Sequence, residues 1–318
     1  METVMKNEWK YIQTEKDRVI VREVEFDTGK GGEPAVIVHF TDPHFNMFTE
    51  KDLENPVLAS THEFRKWNAN GASVPNCERC FDYAEEVGAD QVVITGDVLD
   101  FLSEGCMKLM KEHIWDKHPD TLVTMGNHEA ARKVQGKIND ETTAESRAQL
   151  LQANWSHDIY YTSKIIKDKA MVIALDNSSE FDFGHKGFFE CQVEPLKRDL
   201  AIAREKGLKV LLFYHAPLCT RMPEAGYIPS SFLGDKNLTA VNFGTQVKLW
   251  DSEGNQAVYD IITNNADIIG GCFCGHFHCD FYTEIKAKTA DGQEDVIPQY
   301  VLVGTPYNKG HVIKITVK

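Results

Sequence analysis

The apolar positions of this 318-residue chain fall into two patterns. Short unbroken runs, rich in Val, Ile and Leu, occupy residues 36–40, 92–94, 122–125, 171–175 and 210–214, with another at 266–269. Runs of that length predict strands buried on both faces. Between them the apolar residues recur at helical spacing. Cys77, Cys80, Phe81, Ala84 and Val87 share one face, and Val193, Leu196, Leu200 and Ala203 share another. Gly88 and Gly207 stand where those two helices would end, and Asn76 is placed to cap the start of the first. Residues 103–117 predict a further helix. Thr142-x-x-Glu145 has the form of a capping box, and Val258, Ile261 and Ile262 mark the last helix. Residues 11–27 predict two short strands, and 301–317 supply closing ones. Strands alternating with helices predict an α/β chain.

The polar residues just beyond each apolar run are more informative than the run itself. Residues 36–40 lead into Asp42 and His44, and 92–94 into Gly96, Asp97 and Asp100. Residues 122–125 lead into Gly126-Asn127-His128-Glu129, and 210–214 into His215. The run at 266–269 leads into Cys272-Phe-Cys-Gly-His276-Phe-His278. Each run stops at a group able to bind a metal, with Gly or Pro nearby to permit a sharp exit. Open α/β sheets bind ligands beyond the carboxyl ends of their strands, so five such ends can converge on one site.

Composition narrows the choices. A formal net charge of −14 argues against a surface for nucleic acid, which is gripped by neutralising phosphates with Lys and Arg. The candidate ligands spread from Asp42 to His278, so residues 1–318 read as one domain. The N-terminus lacks an apolar signal core and no apolar run is long enough to span a membrane, which sets the cytoplasm as the expected location. Eight cysteines then suggest a reducing compartment rather than a disulfide framework. Cys77-x-x-Cys80 lacks a second Cys pair for zinc and reads as two core residues. Alternation places Cys272 and Cys274 together on one strand face. Residues 45–75 read as a polar, irregular connection with a short helix near 57–67, and 219–243 as a candidate substrate lid.

The ordered set Asp42-x-His44, Gly96-Asp97-x-x-Asp100, Gly126-Asn127-His128-Glu129, His215 and Gly275-His276-x-His278 resembles the calcineurin-like metallophosphoesterase superfamily. The resemblance covers roughly residues 36–280. It implies two mixed β-sheets packed as a sandwich and flanked by helices. It also implies two divalent or trivalent metal ions, with Mn, Fe or Zn favoured by the mixed imidazole and oxygen donors. By resemblance, Asp42, His44, Asp97 and His278 hold one ion, and Asp97, Asn127, His215 and His276 hold the other. His128 is then the general acid of a phosphate ester hydrolase that uses metal-activated water, and Asp100 orients it. Phe101 and Leu102 stand where the protein Ser/Thr phosphatases carry Arg-Gly, and Asp100 stands where purple acid phosphatases carry Tyr. A coloured iron–tyrosinate site is therefore not expected. The element order is nearer the purple-acid-phosphatase-like and class III cyclic-nucleotide-phosphodiesterase-like branches.

The implied substrate is a small phosphate ester, a monoester or a diester, rather than a nucleic acid. Arg132 and Arg221, close after two of the motifs, are candidate contacts for a second charged group. The alternatives are a metal-binding scaffold that has lost catalysis, or a nuclease. The filled ligand positions count against the first and the acidic charge against the second.

Overall fold

A computed structural model of the chain describes residues 10–12, 19–65, 72–130, 133–134, 137–138, 144–177, 187–218, 253–278, 280–306 and 309–318. Two mixed six-stranded sheets face one another. The first contains β1 (Lys10–Ile12), β2 (Ile20–Phe26), β3 (Ala35–Phe40), β4 (Gln91–Thr95), β5 (Leu122–Thr124) and β14 (His311–Val317), in the order β1-β2-β14-β3-β4-β5. The second contains β8 (Tyr161–Ile166), β9 (Ala170–Leu175), β10 (Lys209–Phe213), β11 (Ile269–Cys274), β12 (Phe281–Lys288) and β13 (Glu294–Val301), in the order β12-β13-β11-β10-β9-β8. β6 (Lys133–Val134) and β7 (Lys137–Ile138) form a separate small hairpin. In the first sheet β3, β4 and β5 run parallel; in the second β9, β10 and β11 do. Five of these six strands are the apolar runs that the sequence pattern predicts; the sixth, β11, begins only at Ile269, where the 266–269 run ends, and takes in Cys272 and Cys274, which the pattern placed beyond the run.

Strand alternation builds two cores. Along β9, Ala170, Val172 and Ala174 join the layer between the sheets. Met171, Ile173 and Leu175 join the opposite layer, which also holds residues of α7 (Val193–Lys206) and α8 (Glu253–Thr263). Phe213, Phe273 and Tyr300 stack in series between the sheets, with ring centroids 5.0 and 5.2 Å apart. Cys272 and Cys274 fall on the helix-facing side of β11, fully buried. Each large apolar side chain so buried contributes about 1.5–3 kcal/mol. The first sheet is covered by α3 (Ser73–Glu86) and by α4 (Glu104–Met110), which continues into a π-helical turn at Lys111–Trp115. Cys77 and Cys80 are buried free thiols of that core, each pushed well above the ordinary thiol range by burial.

Some elements differ from the sequence pattern. α3 starts at Ser73, so Asn76 lies inside it and does not cap it. Its amide instead donates to the carbonyls of Thr305 (3.0 Å) and Pro306 (3.1 Å), a use for a buried Asn that mimics no local signal. Residues 45–75 are more regular than their polarity suggests, because α1 (Glu50–Glu54) and α2 (Pro56–Arg65) occupy much of them. Thr49 and Asp52 form a capping box for α1. The Thr142 cap and the 219–243 lid lie outside the described residues; α5 (Asn127–Ala130) follows β5, and α6 is described from Ala144 to Asn154.

Candidate metal centre

The loops after β3 and β4 continue the pairing of their strands. Asp42 N donates to Gly96 O (3.1 Å), His44 N to Asp97 O (2.9 Å) and Phe45 N to Val98 O (2.6 Å). Within this zipper the backbone turns left-handed at Asp42 (φ 51°), His44 (49°) and Asp97 (50°), and again at His276 (71°) and His278 (52°) after β11. Each such residue costs on the order of 1–3 kcal/mol and persists only where its surroundings hold it. Glu129 is one restraint. Its buried carboxylate accepts from the N–H groups of Asp97 (3.1 Å), Leu99 (2.9 Å) and Gly126 (2.7 Å), tying the β4 loop to the β5 loop. Two glycines permit the close approach. A Cβ at Gly126 would collide with Asp97, and one at Gly275 with Thr41 and Asp42.

Two ligand groups result. In the first, His278 Nε2 lies 3.0 Å from Asp42 Oδ1 and 2.9 Å from His44 Nε2, and His44 Nε2 lies 3.8 Å from Asp97 Oδ2. In the second, His215 Nε2 lies 3.2 Å from each of Asp97 Oδ2, Asn127 Oδ1 and His276 Nδ1. Asp97 Oδ2 belongs to both. The sequence-predicted ligands Asp42, His44, Asp97, Asn127, His215, His276 and His278 are thus brought together.

The donor chemistry fits a metal. His215 Nδ1 donates to Thr95 O (2.7 Å), and His44 Nδ1 faces the Asp100 carboxylate (3.1 Å), so each ring turns its Nε2 inward. Carboxylate and amide oxygens face those nitrogens, and lone pairs so arranged repel until a cation or a proton sits among them. Without metal, protons fill that need. Burial lowers the His44 pKa, but the hydrogen bonds to Asp100 and Asp42 outweigh it and hold it near 10. Against burial, the charge of Asp97 raises His215 to about 9. Burial and the neighbouring His215 charge depress His276 to about 3. Asp42 and Asp97 stay well below the usual carboxylate range, because the histidines overcome burial. A mixed imidazole, carboxylate and amide set suits Mn, Fe or Zn better than Ca.

His128 stands beside this cluster. Its Nδ1 donates to the main-chain carbonyl of Asp100 (2.7 Å), leaving Nε2 3.9 Å from Asp97 Oδ2, and 27% of its side chain is exposed. The expected Asp100–His128 contact is therefore made chiefly by the Asp100 backbone. The Asp100 carboxylate, 3.6 Å from His128 Nδ1, serves His44 instead. It also accepts from Asn46 Nδ2 (2.7 Å) and from Arg65, through Nε (2.9 Å) and Nη2.

Arg65 and Glu129 carry no sequence signal of these roles. Neither do Asn177 and Gln299, whose amides pair with the backbone of Ala216 and Leu218 and clamp the His215 loop. Arg132 and Arg221 lie outside the described residues.

A two-sheet sandwich whose parallel strands end in such a cluster defines a class of metal-binding α/β proteins. The family model for calcineurin-like phosphoesterases matches residues 35–280, and the chain belongs to that family. Among solved structures, it is similar to the crystal structure of a dimetal phosphatase from Danio rerio. The two share 14% identity over 90% of this chain and 100% of that one, with a TM-score of 0.46. A search of curated proteins found no match. Among the described residues, no helix is long and apolar enough to cross a membrane.

Proposed function

We propose that the protein is a dinuclear metal-dependent hydrolase of small phosphate esters. The observation that carries this reading is the meeting of two ligand groups at Asp97 Oδ2, with His128 beside them. Asp42, His44, Asp97 and His278 would hold one ion; Asp97, Asn127, His215 and His276 would hold the other. Two cations bound there would supply Lewis-acid charge to a phosphoryl group and acidify a water.

The chain's own residues supply the rest. His44 and His215 have their outer nitrogens committed to Asp100 and Thr95, which fixes both rings before any ligand arrives. Hydrolysis breaks a phosphorus–oxygen ester bond, and the departing oxygen needs a proton. His128 Nε2 faces the cluster while Nδ1–H is anchored on Asp100 O, so a proton on Nε2 can be delivered to that oxygen. Burial keeps the His128 pKa below its ordinary value, which favours giving the proton up.

The net charge of −14 supports a compact substrate over a polyanion, and the free thiols of the described cysteines suit a reducing location such as the cytoplasm.

Elemental analysis and turnover test the reading together. Wild type should approach two metals per chain and hydrolyse aryl phosphates in Mn, with little action on duplex DNA. His128→Ala should keep its metals and lose about 10²–10⁴-fold in kcat. Asp97→Asn should lose both metals and activity. Loss of metal from the His128 variant to the same extent would refute the division between acid and ligand.

A further inference from the structure

We propose that Arg65 is a specificity-determining residue that receives an anionic group on the leaving-group portion of the substrate. This rests on the hydrolase reading above and goes beyond it by naming the substrate class: phosphate esters whose alcohol portion carries a carboxylate or a second phosphate.

Arg65 ends α2 and reaches Asp100 across 35 residues of chain. Its Nε and Nη2 form a side-on fork on the two oxygens of that carboxylate. The Asp100 side chain is fully buried, whereas 18% of the Arg65 side chain is exposed, so the guanidinium closes the outer side of Asp100.

A planar guanidinium carries five N–H groups, and this ion pair commits one edge only. Among the described residues, Nη1 has no hydrogen bond or ion pair. The end-on edge, formed by Nη1 and the second Nη2 hydrogen, is therefore an unfilled fork of the geometry that carboxylates and phosphates accept bidentately. A guanidinium held this way loses little freedom on binding an anion, because the carboxylate behind it has already fixed its plane.

Its place in the site decides which end of the substrate it meets. The same Asp100 holds both neighbours: its main-chain oxygen anchors His128 and its carboxylate anchors Arg65. His128 marks the leaving-group side, since that is where a proton is delivered. Arg65 pairs with the same Asp100 carboxylate whose Oδ1 lies 3.6 Å from His128 Nδ1, so its free edge is offered beside the acid. An anion there belongs to the alcohol portion, not to the phosphoryl group undergoing hydrolysis.

The test uses two phosphonates that cannot be hydrolysed, benzylphosphonate and 4-carboxybenzylphosphonate. Binding to Mn-loaded protein is read by calorimetry, with metal content measured on the same samples. Wild type should bind the carboxylated analogue about 10- to 100-fold more tightly, the value of a charge-assisted pair. Arg65→Gln should erase that preference while leaving benzylphosphonate affinity and metal content unchanged. Arg65→Lys, which keeps the charge but not the fork, should retain part of it. Equal affinities in wild type, or a preference that survives Arg65→Gln, would overturn the proposal. Loss of metal from both variants would also overturn it, by making Arg65 a support for Asp100 alone. Absence of any phosphoesterase turnover in wild type, with the Arg65-dependent preference intact, would remove the hydrolase reading and leave the anion site standing.

Discussion

Glu129→Gln isolates the restraint that holds the two metal-bearing loops of the first sheet together. Glu129 is fully buried, and its oxygens accept three main-chain N–H groups: Oε2 from Asp97 and Gly126, Oε1 from Leu99. Burial, and then the Asp97 charge, raise its carboxyl from 4.5 to about 7. For the ionised form that is a penalty on the order of 3 kcal/mol. Because the folded pKa lies above the unfolded one, the folded state binds the proton more tightly. Stability is therefore lost as pH rises from about 4.5 to about 7. Gln carries no charge and escapes this penalty. Its amide can keep an oxygen on Asp97 and Gly126, but then sets NH₂ against the Leu99 N–H. One lost bond and one orphaned buried donor cost about 1–3 kcal/mol. In metal-free protein the variant should thus be destabilised by about 1–3 kcal/mol at pH 5 and be close to wild type at pH 8. Cations beside Asp97 would offset its charge but not the burial, so part of the destabilisation should return at pH 8 with Mn. Urea unfolding under the three conditions measures each difference. The same difference at pH 5 and pH 8 without metal would refute Glu129 as the proton carrier.

Metal uptake should release protons near neutral pH, because His44 (about 10) and His215 (about 9) must give up theirs to become ligands. Apparent affinity should rise with pH and level off above about 10; calorimetry in buffers of different ionisation enthalpy reads this, and uptake without proton release would refute it. Gly275→Ala should cost about 1–3 kcal/mol and reduce bound metal, since its Cβ would meet Thr41 and Asp42. Gly292→Ala is the control: its φ of 86° strains the backbone, but nothing lies within 4 Å of the new Cβ, so metal content should be unchanged.

The metal-site residues are legible in the sequence because each comes directly after a strand buried on both faces. An unbroken apolar run and the polar residues just beyond it are local facts, and the parallel sheet brings those ends together. Arg65 is illegible for the opposite reason. It lies at the end of an amphipathic helix, and nothing in its neighbourhood distinguishes it from a solvated arginine. Asn76 misleads because its partners, the carbonyls of Thr305 and Pro306, are more than two hundred residues away, while the local pattern invites a cap. β8 hides behind exposed positions at Lys164 and Ile165. β13 hides behind Pro298, which speaks against a strand. The structure accommodates it because the parallel ladder to β11 begins only at Gln299, leaving Pro298 just outside.

The ligand set is divided between the sheets, and this bears on how site and fold depend on one another. Asp42, His44, Asp97 and Asn127 come after strands of the first sheet; His215, His276 and His278 come after strands of the second. Near the cluster, direct bonds across the divide include His215 Nδ1 to Thr95 O and His276 N to Asp42 Oδ2. Either ion in the proposed arrangement would draw ligands from both sheets and so join them at the end where five left-handed residues are held under strain. Among the described residues, protons on His44 and His215 are two of the charges that balance the carboxylates in metal-free protein. Deprotonating those imidazoles at high pH without metal leaves Asp42 and Asp97 less well compensated, so this end of the sandwich should open before its apolar layers do. Metal, proton and backbone strain therefore act on one equilibrium, and the ligand loops are where it is set.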